Sequence, residues 1–171
     1  MDKHKRIKAA REGSMVERCH TVRHLGSYTN GQHSFDMLTL ALELIPEDEL
    51  SKDLMKAIIY HDLPERWTGD VPHPMKVAST SLEDVLIWHE NEIKESMGWG
   101  VVLAPDEHMW LQSLDRLEFY LWTSDQLILG NENVNEIYRR MHKLMCEDRH
   151  PQVVNVAQRY SPDRLSDDIP E

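Results

Sequence analysis

AIIYHDLPERWTGDVPHPMK, residues 57–76, carries an apolar run straight into ionisable chemistry. Ile58, Ile59 and Tyr60 meet His61 and Asp62, then Glu65 and Asp70 follow, and Lys76 closes the stretch behind two prolines. A carboxylate at the end of a buried segment is costly unless it is paired, hydrogen-bonded or bound to a metal. We therefore read this stretch as the end of a core helix that delivers polar side chains to a site. The partners of that site must come from elsewhere in the chain.

Working outward, the apolar period is helical nearly everywhere. Phe35, Leu38, Leu42 and Ile45 form one stripe, ended by Pro46, and Leu54 and Ile58 form a second, opened by Ser51 as N-cap. Ser81, with Asp84 three residues on, predicts a capped helix running through Ile87 and Ile93 to about Met97. The longest helix is expected from Pro105 to Gly130, and a final one, opened by Asn131 or Asn133, carries Val134, Ile137, Met141 and Met145. No segment alternates with period two, and VPHPMK reads as a loop. The fold class is all-α.

With 171 residues and 40% hydrophobic content, the chain supports one core. The domain is placed at residues 1–160, with the polar tail SPDRLSDDIPE (161–171) expected to order poorly. The Met and Trp residues fall mostly on helical stripes and are assigned to packing.

A net charge of −11 argues against a protein that binds nucleic-acid duplexes, whose affinity rests on Lys and Arg neutralising phosphates. An anionic substrate would have to be met by local cations, for which Arg18, Arg23, Arg66 and Lys76 are the candidates. No run approaches a membrane span. Cys19 and Cys146 make neither a disulfide framework nor a cysteine zinc site, and MDKHKRIKAAREG has no apolar leader core. The expected compartment is a reducing cytoplasm.

Two further places break the apolar pattern. In WLQSLDRLEFYLW, Asp115 and Glu118 sit between the apolar positions Trp110, Leu114, Leu117 and Leu121, and in NGQHSFDM, His33 lies on the first turn of a helix. Each is ordinary alone: a helix-edge Asp pairs with Arg116, and a buried His is commonly a core or capping residue. Together, His33, His61, Asp62 and Asp115 are two imidazoles and two carboxylates contributed by three helices. That set suits Zn²⁺, Mn²⁺, Co²⁺ or Fe²⁺ better than Ca²⁺ and fits a metal held inside a helical bundle.

A histidine at a helix start, a His-Asp pair ending a later helix and a distant Asp on a long helix resemble the H…HD…D pattern of HD-domain metal phosphohydrolases. RCHTVRHLGSYTNGQHS, HDLPERWTGDVPHPMK and SLDRLEFYLW are similar to segments of the bacterial HD-domain 5′-deoxynucleotidases and the short phage HD-domain dATP triphosphohydrolases, over roughly residues 15–125. The resemblance implies a single HD-domain helical bundle with a metal in its core, bound by His33, His61, Asp62 and Asp115. It also implies that Glu65 activates or positions the attacking water, that Asp70 lies by the sugar or the scissile phosphate, and that Arg18 and Lys76 hold phosphate oxygens. Arg66 stands where the HD hydrolases of guanosine tetraphosphate carry a second acid, which disfavours that branch, and Cys19 replaces the Trp usual after the loop arginine in the nucleotidases.

The implied activity is metal-dependent hydrolysis of a deoxynucleotide, with dATP or another dNTP cleaved to deoxynucleoside and inorganic triphosphate. The alternatives are a 5′-deoxynucleotidase acting on monophosphates and a non-catalytic nucleotide-binding HD module. Relatives also imply a homo-oligomer, for which Trp88 and Trp99 are candidate contact residues, and a host cytoplasm if the chain is of phage origin.

Overall fold

A computed structural model describes residues 2–160 and Pro162, so the tail expected to order poorly lies outside the described residues except for Pro162. Nine α-helices and one 3₁₀ turn are present among them, with no strand beyond an isolated bridge between Glu17 and Thr29. In chain order the helices are α1 (Lys3–Gly13), α2 (Asn30–Leu44), α3 (Lys52–Tyr60), α4 (Glu65–Thr68), α5 (His73–Ala78), α6 (Thr80–Met97), α7 (Pro105–Ile128), α8 (Asn135–Cys146) and α9 (Pro151–Arg159). The all-α expectation holds. No helix among the described residues is long and apolar enough to cross a membrane.

The long helix α7 is the axis, against which α2, α3, α8 and α9 pack. Its inner face brings Trp110, Leu114, Leu117 and Tyr120 against Met37 and Ala41 of α2, Leu54 and Ile58 of α3, Met141 and Met145 of α8, and Val153 and Ala157 of α9. A second cluster of Ala9, Leu63, Met97 and Trp99 ties α1 and the end of α6 to the segment after α3.

Local chemistry sets the helix ends. Ser51 caps α3 as expected, its Oγ accepting from Leu54 N at 3.0 Å. Pro105 opens α7, where a missing N–H costs nothing, and Glu107 Oε2 accepts from the Ala104 amide at 2.7 Å while its other oxygen takes the Ser51 hydroxyl. One glutamate thereby ties the starts of α3 and α7 together. Gly130, at φ 85°, turns the chain out of α7 with a backbone that a side chain would strain.

Four expectations are corrected. The buried face of α2 is His33, Ser34, Met37 and Ala41; of the expected stripe Ile45 is buried and Leu38 packs against the core, whereas Phe35 and Leu42 are 66% and 60% exposed. Two stripes of helical spacing compete on this helix, and contact with α7 selects the one that carries His33. VPHPMK is not a loop throughout: His73–Ala78 is helical, because Pro72 and Pro74 occupy its N-cap and first turn, where proline is tolerated. The cap of α6 is Ser79, two residues before Ser81, and its Oγ accepts from Leu82 N at 3.4 Å. Helix α8 is not the last, since α9 follows, and α1 precedes the others. Each of these two is short and buries only two residues. Of the tryptophans, Trp99 is buried and Trp88 is 58% exposed.

Candidate metal centre

His61 and Asp62 leave the last turn of α3. The His61 Nδ1–H donates to the Ile58 carbonyl at 2.7 Å, which orients the ring and leaves Nε2 as a lone-pair donor. That Nε2 lies 3.1 Å from Asp62 Oδ2 and 3.2 Å from His33 Nε2. His33, on the first turn of α2, has no exposed side-chain surface, and its Nε2 lies 3.9 Å from Asp62 Oδ2 and 3.1 Å from Asp115 Oδ1 of α7. The donor atoms of His33, His61 and Asp62 all fall within 4.8 Å of one another. Asp115 approaches from outside that trio, touching it through His33.

The surroundings favour positive charge at this point. Burial and the Arg18 guanidinium both press His33 down, yet hydrogen bonds to Asp115 and Glu118 carry it up to about 9. Burial would raise Asp62, but His61 and Arg18 hold it well below the usual carboxylate range. Arg18 itself pairs with Asp62, donates to Asn30 Oδ1 at 3.1 Å and lies 4.0 Å from Asp115. Two imidazole nitrogens and carboxylate oxygens that draw in a guanidinium and a proton form a donor set suited to a borderline divalent cation.

Glu65, first residue of α4, is buried beside this set. Burial foremost, then the neighbouring charge of Asp62, push it up to about 8, while Asn30 Nδ2 donates to its Oε2 at 2.8 Å. Asp70 Oδ2 accepts from Cys19 N at 2.9 Å and so holds the Arg18 loop where Cys19 takes the left-handed φ of 54°. Arg18, Asp62, Glu65, Asp70, Lys76 and Asp115 all line one cleft of about 710 Å³. The eight residues singled out in the sequence thus lie in or against one site.

Two of the expected cations do not. Arg66 turns away to Glu12, with Nε to Oε2 at 2.5 Å, and packs over Trp67. Arg23 is exposed and does not line the cleft. In their place Arg116 of α7 and Arg140 of α8 face the cleft, beside apolar Val22, Phe119, Ile137 and Met141. Sequence reading attached no role to Asn30, Glu118, Tyr28 or Arg140. For Glu118 a signal existed, since it is a carboxylate in an apolar stripe one turn beyond Asp115; for Arg140 there was none.

The model of the YfbR-like 5′-deoxynucleotidases matches residues 8–101, more than half of the chain. The chain belongs to this family. The matched segment contains Arg18, His33, His61, Asp62, Glu65, Asp70 and Lys76 and ends before Asp115 and α8. Among solved structures, the HD phosphohydrolase DatZ of cyanophage S-2L, solved bound to dA and one catalytic Zn²⁺ ion, has the same fold, with a TM-score of 0.66, 18% identity and 96% of each chain covered. None of the curated protein sequences matches significantly. The protein is an HD-domain phosphohydrolase of the 5′-deoxynucleotidase family, and its His33, His61 and Asp62 form a group of donor atoms suited to a metal ion.

Proposed function

We propose that the protein hydrolyses deoxynucleoside triphosphates, dATP first among them, to the deoxynucleoside and inorganic triphosphate. The observation that carries this reading is the distribution of cations: beyond Arg18 at the metal centre, Lys76, Arg116 and Arg140 line the same cleft from three helices. A monophosphate needs little more than a metal and one arginine, whereas a triphosphate tail reaches further and requires charge beyond them. The dA bound in cyanophage DatZ supports a purine deoxynucleoside in the apolar part of the cleft.

In this reading His33, His61, Asp62 and Asp115 hold the cation. When bound, it polarises a phosphoryl oxygen and lowers the pKa of water nearby. Glu65 takes a proton from water as it attacks the α-phosphorus, and that proton passes to the 5′ oxygen as its bond to phosphorus breaks. Asn30 aims Glu65. Asp70 keeps the Arg18 loop in place beside the sugar, and Arg18 and Lys76 hold phosphate oxygens. A non-catalytic module would not need all four ligands and the glutamate.

The family description favours a second reading, a 5′-deoxynucleotidase acting on monophosphates. Metal-loaded enzyme incubated in parallel with dATP and dAMP, with triphosphate resolved from orthophosphate by ion exchange, separates the two. Release of intact triphosphate is expected. Consumption of dAMP alone hands the function to the monophosphatase.

A further inference from the structure

His33 is gripped on both of its ring nitrogens by one helix. On the cleft side, Nε2 lies 3.1 Å from Asp115 Oδ1; on the far side, Nδ1 is hydrogen-bonded to Glu118 Oε2. Asp115 and Glu118 are three residues apart on α7 and therefore adjacent on its surface. Glu118 is itself fixed, because the Tyr28 hydroxyl donates to the same Oε2 at 2.5 Å and Tyr28 is fully buried, stacked on Trp122 with ring centroids 4.4 Å apart. Glu118 is 4% exposed, a position that no carboxylate holds cheaply without a partner.

We propose that Glu118, anchored by Tyr28, is a positioning residue of the metal centre: by accepting the Nδ1–H of His33 it fixes the tautomer that turns a basic Nε2 toward the cation. The inference rests on the metal-site reading above and adds to it a Tyr28–Glu118–His33 chain that reaches the centre from behind. A metal-bound histidine commonly donates its other N–H to a carboxylate in this way, which raises the basicity of the ligand, and loss of such a partner weakens metal binding about 10–100-fold. Here the partner comes from the helix that also carries Asp115, so a single helix sets both the ligand and the orientation of its neighbour.

The test uses the full chain stripped of metal and titrated with Co²⁺ against a chromophoric chelator, with the visible Co²⁺ spectrum and the apo melting temperature recorded for each protein. Glu118→Gln keeps the shape and removes the charge. It is expected to weaken Co²⁺ binding about 10–100-fold and to alter the spectrum, while the apo protein stays folded. Tyr28→Phe keeps the stacking on Trp122 and removes the hydroxyl that anchors Glu118 and stands 3.4 Å from His33 Nδ1, with a loss of about 3–10-fold expected. Were Glu118 merely a structural residue, Glu118→Gln would lower the apo melting temperature and leave affinity and spectrum unchanged, and that result overturns the proposal. If Glu118→Gln fails to fold, Tyr28→Phe decides, and wild-type affinity with a wild-type spectrum in that variant overturns the proposal equally. Absence of Co²⁺ uptake by the wild-type protein would instead remove the metal-site reading, and this inference with it.

Discussion

At the scale of single residues, the donor set makes a direct prediction. His33→Ala, Asp62→Ala and Asp115→Ala should each lower metal content, measured by plasma emission on the purified protein, and lower the melting temperature with it, because a cation that binds only the folded chain stabilises that state. Full occupancy in Asp115→Ala would remove Asp115 from the site. Glu65→Gln should behave differently: Asn30 can still hydrogen-bond the amide, so metal and fold are retained, while turnover falls by about two to four orders of magnitude, the scale of a lost general base. Near-normal turnover would pass the proton to Asp70. His33, His61, Asp62 and Asp115 were legible in the sequence because each interrupts an apolar helical pattern at a cost that packing alone does not repay. Asn30 and Tyr28 were not, since an Asn at a helix start and a Tyr in a loop are ordinary, and only their contacts give them roles.

At the scale of elements, the position of α1 against the His-Asp segment is set by a close approach. A β-carbon on Gly13 would stand 2.7 Å from the Leu63 carbonyl oxygen and 3.2 Å from its Cα, backbone atoms that have no room to withdraw. Gly13→Ala should therefore destabilise the fold by about 1–3 kcal/mol, lowering the melting temperature by several degrees in thermal denaturation followed by circular dichroism. An unchanged melting curve would show that α1 gives way freely. Element boundaries that rest on local chemistry, such as Ser51 capping α3 and Pro105 opening α7, were readable in advance. The choice between two apolar stripes on α2 was not, because both have helical spacing and only the contact with α7 buries one of them.

At the scale of the whole molecule, a chain of net charge −11 gathers Arg18, Lys76, Arg116 and Arg140 about one cleft. A charge-assisted contact to phosphate is worth about 1.5–3 kcal/mol, so Arg140→Ala should reduce kcat/KM for dATP about tenfold or more and leave any activity on dAMP within about twofold. Equal losses on both substrates would place Arg140 at the nucleoside instead. This arginine shows where sequence reading reached its limit. Apolar period, caps and polar interruptions are local properties, and from them came the all-α class and the four proposed ligands, whereas the role of Glu65 came from the resemblance of its segment to a known family. Which cations face the site depends on how helices far apart in sequence rotate against one another. Arg66, four residues from Asp62, swings away to Glu12, whereas Arg140, 78 positions beyond Asp62, lines the cleft from α8. The burial of Glu118 behind His33 was decided at the same level: a helix surface offers its side chains at every angle, and only packing determines which of them lose water and meet the metal centre.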